Sequence, residues 1–235
     1  ALKELGKLEE AVASYQKALG LNPGYAGAQN NLGIAFSEIG NQAEALLCHR
    51  EAISLDPQND LFWSSFAMSL ERIAFTSVDD DLLRDLLHLV KRGSVRPFNV
   101  TRPILSALRH HPDFSQLLEP FDANKQDTEI AYSDVAKQLS TIPLFLRILE
   151  LSPIHDLEIE QMLTILRRAM LQETTKGKAP ETVSPFSAAL TLHCFTNEYV
   201  FAETGEEKQA VKKLEQQIAT LMEQERPVPP SFVVA

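Results

Sequence analysis

The small, bulky and polar positions at the start of the chain recur with a period of 34 residues. Gly6, Glu10, Ala11, Tyr15, Ala18, Leu21 and Pro23 are answered by Gly40, Glu44, Ala45, His49, Ala52, Leu55 and Pro57. The small and bulky members stand four and seven residues apart, the spacing of one face of an α-helix. A proline closes each period. A fixed period of this length predicts a helix–turn–helix unit repeated along the chain, each unit burying its apolar face on the next. Ala26 to Ile39 reads as the first helix of a complete unit, with Leu32, Gly33 and Phe36 forming its inward seam. Gly33 lets the second helix come close. Gly40-Asn41 ends the first helix and restarts the second, with Asn41 as an N-cap. Ala45, His49 and Ala52 share one face of the second helix, and Pro57 ends it.

These residues resemble the tetratricopeptide repeat. Its pattern of large–Leu–Gly–large–Ala–large–Ala–Pro is met by Gln29, Leu32, Gly33, Phe36, Ala45, His49, Ala52 and Pro57, with Gln29 and His49 as departures. Ala11, Tyr15, Ala18 and Pro23 supply the second half of an earlier unit, and Trp63, Phe66, Ala67 and Leu70 open a third. Ser77-Val78-Asp79-Asp80-Asp81 then interrupts the spacing. The resemblance implies an all-α fold, a right-handed α-α superhelix of helical hairpins, followed by a helical region outside the repeats. The expected organisation is a partial, a complete and a partial repeat over residues 1–75, a helical region over 76–225 that packs on and caps the stack, and a proline-rich linker or tail over 226–235. Because the chain opens inside a unit, it reads as part of a longer array.

Beyond residue 78 helical signals continue without the period. Asp79 to Asp81 suit a helix N-terminus, with Leu82, Leu83, Leu86, Leu87 and Val90 as its apolar stripe and Gly93 as its stop. Thr101-Arg102-Pro103 reads as the start of another helix, and His111-Pro112 as a break. Residues 119–128 and 173–182 read as loops. Asp156 caps a helix carrying Ile159, Met162, Leu163, Leu166, Ala169 and Met170. Ser184-Pro185 opens an apolar helix through Phe201, and residues 206–225 form an amphipathic one. The segment 186–201, followed by Glu206-Glu207 and the proline-rich exit, resembles bacterial proteins in which such repeats precede a methyltransferase-type domain. That likeness implies a non-catalytic, substrate-recruiting region of a larger SAM-dependent methyltransferase or other transferase whose catalytic domain lies outside this chain.

Charge narrows the partner. A formal net charge of −10 argues against nucleic acid, whose binders present a basic face, and against anionic membrane surfaces. No run of 18 or more apolar residues or leader pattern appears, so the chain reads as cytoplasmic. Cys48 and Cys194 lie in apolar helical stretches and read as free thiols of a reducing compartment. The sequence carries no glycine-rich phosphate loop and no metal-ligand spacing, so no cofactor, no metal and no enzyme activity is expected. His110 and His111 read as surface or capping residues, and His155-Asp156 as a turn and cap. His193, Cys194, Asn197 and Glu198 on one helix read as a polar network, with thiol catalysis as the rival.

Function is then expected on the concave face lined by first helices. Asn30, Asn31, Ile34 and Glu38 fall there in the complete unit, and Leu61, Ser64, Ser65, Met68 and Arg72 in the third. The partner is a protein or peptide, with self-association through the truncated end of the stack as a further possibility. Asn31-Leu32-Gly33 is similar to the Asn-Leu-Gly order in O-linked N-acetylglucosamine transferases, where stacked asparagines hold peptide backbone. Ser65 breaks such a ladder here. A cochaperone-like carboxylate grip is disfavoured, because these positions supply Arg72 and no lysine.

Overall fold

The computed structural model describes residues 7–71, 73–93, 95–121, 131–176, 183–196, 204–230 and 232. Every regular element among them is helical, so the expected all-α class holds. The chain divides into two compact units, Ala1–Ala107 and Leu108–Ala235.

In the first unit, α1 (Leu8–Leu21), α2 (Ala26–Ile39) and α3 (Gln42–Leu55) form the repeat hairpins, and α2 has the bounds the sequence predicts. Gly40 ends α2 at φ 93°, a left-handed conformation that a side chain would strain. Asn41 occupies the N-cap of α3, but its side chain makes no capping bond, and the turn is held instead by Asn41 N–H donating to Phe36 O at 2.8 Å. The hairpin closes where α2 lacks a side chain. A Cβ built on Gly33 would lie 2.7 Å from His49 Cε1. Ala45, His49, Ala52 and Ile53 are buried around this contact. The His49 ring is 1% exposed and its Nδ1 has no hydrogen-bond partner. Burial pushes its pKa down to about 4, so the ring is neutral at physiological pH.

Next come α4 (Asp60–Leu70), α5 (Asp80–Arg92) and α6 (Pro97–Leu108). Asn59 caps α4 by accepting from Leu61 N–H, and Asp79 caps α5 by accepting from Leu82 N–H. Gly93 stops α5 at φ 69°. Two arginines tie α5 down. Arg50 of α3 reaches Asp85 at 2.8 Å and Asp79 at 3.3 Å. Arg92 pairs with Asp60 at 2.6 Å and lies 5.3 Å from the centroid of the Trp63 ring. Trp63 Nε1 donates to Pro57 O at 2.9 Å. The start expected at Thr101 is corrected: α6 begins at Pro97, where the missing N–H costs nothing, and Pro103 sits inside the helix. The Ser106 hydroxyl accepts Phe75 N–H at 3.1 Å.

The second unit holds α7 (Pro112–Leu118), a 3₁₀ turn Glu119–Phe121, α8 (Tyr132–Leu139), α9 (Pro143–Leu151), α10 (Leu157–Thr175), α11 (Pro185–Thr196) and α12 (Gly205–Glu223). The helix α10 runs three residues into the expected loop at 173–182, to Thr175, so that loop begins later. Residues 122–130, 177–182 and 197–203, which include other predicted loop residues and the end of the predicted apolar helix, lie outside the described residues. Phe114, Phe145 and Phe186 are fully buried, with ring centroids 4.8 Å apart for the first pair and 6.5 Å for the second. Tyr132 Oη and Ser187 Oγ share a hydrogen bond of 2.7 Å, joining α8 to α11. Asp156 caps α10 and pairs with Arg109 at 2.6 Å. Glu207 closes a capping box with Thr204 on α12 and pairs with Arg167 at 2.6 Å and Arg168 at 3.1 Å, fastening α12 to α10.

Two measurements test the hairpin contact. Replacing Gly33 with alanine forces the buried His49 ring to move, and urea denaturation should show a loss of about 1–3 kcal/mol. Acid should also weaken the fold. The folded His49 pKa lies near 4, below the ordinary value of 6.5. Its contribution is therefore full above pH 6.5 and declines as the pH falls towards 4, because the unfolded chain takes up the proton first. Stability of His49→Phe measured across that range should fall less steeply than that of the native chain.

Candidate interaction face

The outward side of a first helix is what remains after the seam and the neighbouring helices have taken the rest. On α2, Asn31 and Glu38 are exposed and Ile34 is half-buried. Residues 31, 34 and 38 are spaced three and four apart, so they share one face. On α4, Leu61 and Met68 are 62% and 72% exposed, and the half-buried Ser64 lies between them. Its hydroxyl donates to Asp60 O at 2.9 Å, so it turns back on its own helix. Ile34 and Met68 occupy the same place in successive units, and α2 and α4 pack against each other. The result is an accessible strip in which Ile34, Leu61 and Met68 supply apolar surface and Asn31 a carboxamide.

Two residues assigned to this face are corrected. Asn30 is 2% exposed and Ser65 is 8% exposed, so both point into the packed interior. Adjacent helical residues diverge by about 100°, given 3.6 residues per turn. Asn30 and Asn31 cannot both face outward, nor can Ser64 and Ser65. On α2 the second of each pair is outward, and on α4 the first. Asn30 Oδ1 is buried with no hydrogen-bond partner. Arg72 lies outside the described residues.

One contributor escaped sequence reasoning. The Tyr25 side chain is 55% exposed, and its Cε2 would stand 3.2 Å from a Cβ on Gly27. The ring thus lies beside the first turn of α2, where the following unit has Leu61. The signal available in the sequence is the missing side chain at Gly27, which leaves room for a neighbour's ring.

The titratable groups elsewhere have structural settings. His193 is fully buried, with Nδ1 3.2 Å from Leu149 O, linking α11 to α9. Burial lowers its pKa. The neighbouring Cys194 thiol is half-buried and its pKa is raised by burial, although Arg167 opposes the rise. Asn197 and Glu198 lie outside the described residues. Burial, with Glu44 nearby, pushes the Cys48 thiol up to about 11. A thiol so protonated is a poor nucleophile. His111 caps α7 by accepting from Phe114 N–H at 3.4 Å. Among the described residues, no group of three or more His, Cys, Asp or Glu gathers to hold a metal. No helix among them is long and apolar enough to cross a membrane.

Helical hairpins stacked in this order are the arrangement of repeat proteins. Residues 1–40 match the TPR repeat family, and residues 26–59 match the tetratricopeptide repeat family. The chain therefore carries tetratricopeptide repeats across α1, α2 and α3. A comparison with curated proteins gave no match.

Proposed function

We propose that this chain is a protein–protein interaction scaffold that holds a peptide or partner protein on the outward face of α2 and α4. Tetratricopeptide repeats mediate such contacts as a class, which supports the broad role. The observation that carries the finer reading is the pair Leu61 and Met68. They are the most exposed apolar side chains on the first helices of the two units, at 62% and 72%. They stand seven residues apart, about 10.5 Å along one helix face. Water pays little for a single exposed leucine, but an aligned pair beside Ile34 is a surface that gains by being covered. Asn31 beside it can both donate to and accept from a partner's main chain.

The test needs no known ligand. Random dodecapeptides displayed on phage are selected against the full chain, and the binders are measured by fluorescence anisotropy. Joint replacement of Leu61 and Met68 by serine should weaken the selected peptides about ten-fold or more without lowering the melting temperature, since both side chains are exposed. Asn31→Ala should cost about 1 kcal/mol, or roughly five-fold. Binders that hold the doubly substituted chain as tightly as the native one would place the function on another surface.

A further inference from the structure

Burial repeats beyond the point where residue identity stops repeating. Ala45, His49, Ala52 and Ile53 are the buried positions of α3, and Leu82, Leu86, Leu89 and Val90 are those of α5, each 37 residues further on. From Glu44 to Ser54 and from Asp81 to Lys91 the two helices agree in burial at every position. One step later the set of buried positions also matches. The buried positions of α4 are Phe62, Trp63, Ser65, Phe66, Ala67, Ser69 and Leu70. Those of α6 are Val100, Thr101, Pro103, Ile104, Leu105, Ala107 and Leu108, each 38 residues further on. One-sided burial alone gives spacings of three and four. It does not by itself reproduce the same runs of consecutive buried residues in the same order. The side-chain links fit the same succession: Arg50 joins α3 to α5, Arg92 joins α5 to the start of α4, and Ser106 of α6 receives Phe75 N–H from the turn after α4.

Taking the outward face of α2 and α4 as the binding surface, we infer that α5 completes a third unit and α6 opens a fourth, and that α6 adds a cationic rung whose partner is a segment carrying an acidic side chain beside its apolar ones. In this register Asn99, Arg102 and Ser106 stand where α4 has Leu61, Ser64 and Met68. Arg102 is exposed and, among the described residues, makes no hydrogen bond or ion pair. Arg50 and Arg92 of the same unit are each held by carboxylates. The chain has 32 acidic residues against 22 lysines and arginines, yet among the described residues none is placed against this guanidinium. Its five donors remain available for a carboxylate, which it can take in a two-pronged grip. Neighbouring helix axes lie about 8–10 Å apart, and an extended chain advances about 3.3 Å per residue. The acidic residue therefore falls about three positions from the apolar residue that sits on α4.

The experiment is the same displayed library, fused so that the peptides have no free C-terminal carboxylate, selected in parallel on the native chain, on Arg102→Glu and on Arg102→Ala. Native-chain binders should share an apolar residue with Asp or Glu about three positions away. Arg102→Glu should select Lys or Arg at that place, and Arg102→Ala should show no charge preference there. A synthetic acidic binder should lose about ten-fold in affinity to Arg102→Glu, the scale of a hydrogen bond to a charged group, with an unchanged melting temperature. If Leu61→Ser with Met68→Ser abolishes binding while Arg102→Glu neither weakens it nor alters the selected charge, the face on α2 and α4 stands and the rung on α6 is overturned. If the binders ignore all of these substitutions, both fall.

Discussion

The contact between Gly33 and His49 sets the geometry on which the repeat region depends. Two helices can approach this closely only where one of them has no Cβ, and the ring of the other fills the gap. That approach fixes the rotation of α2 about its axis. Once Leu32 and Gly33 are committed to α3, the residues left for the outside are Asn31, Ile34 and Glu38. The proposed binding face is a by-product of the seam. The choice of histidine at this place, where the repeat pattern calls for a large side chain, also leaves Nδ1 buried without a partner. The contact is tight in shape and poor in polarity, which makes it the acid-sensitive point of the hairpin.

The next hairpin solves the same problem differently. Ala67 stands where Gly33 stood, and Leu82, Leu86 and Leu89 stand in the places of Ala45, His49 and Ala52. These larger side chains are buried, and directional contacts supply the alignment. Arg92 lies over Trp63 and grips the first turn of α4, while Arg50 holds both the cap and the first turns of α5. The second compact unit has no such period. Its order comes from a buried run of Phe114, Phe145 and Phe186 and from polar links that are individually specific, among them Tyr132 to Ser187 and Glu207 to Arg167 and Arg168.

These differences explain how much could be read from the sequence. The bounds of α2, the role of Gly33 and the burial of Ala45, His49 and Ala52 were legible because shape is written there as residue type, with glycine, alanine and proline having few substitutes, while the burial of Ile53 was not foreseen. Past residue 75 the offset grows from 34 to 37 and then 38, and leucines replace alanines. The volume then sits on a different helix, so identity disappears while burial persists. On the interaction face the same logic sorts successes from failures. Leu61 and Met68 follow from register alone. Asn30 and Ser65 were misplaced because neighbouring residues on a helix differ by about 100° in direction, and the packing partners decide which of two adjacent polar residues is turned in. The links to α6 depend on contacts between distant residues, which no local pattern encodes, whereas the Tyr25 ring beside Gly27 is a local contact whose only trace is a missing side chain.

The distribution of chemistry points in one direction. Among the described residues, burial pushes the pKa of His49 down to about 4 and that of Cys48 up to about 11, lowers that of His193 and raises that of Cys194. His49 fills the hairpin seam and His193 joins α11 to α9. The accessible face offers the opposite inventory of side chains that do not titrate near neutrality: leucine, methionine, isoleucine and asparagine. A surface of that kind gains free energy by excluding water over an area and by pairing a few oriented groups. It has no displaced proton to move, and its selectivity must come from shape, register and the sign of the charge at its edge. On the proposed reading, the seam contact that rotates α2 therefore also bears on which partner the face takes. By deciding which side chains are swallowed by the core, it decides which remain to be read.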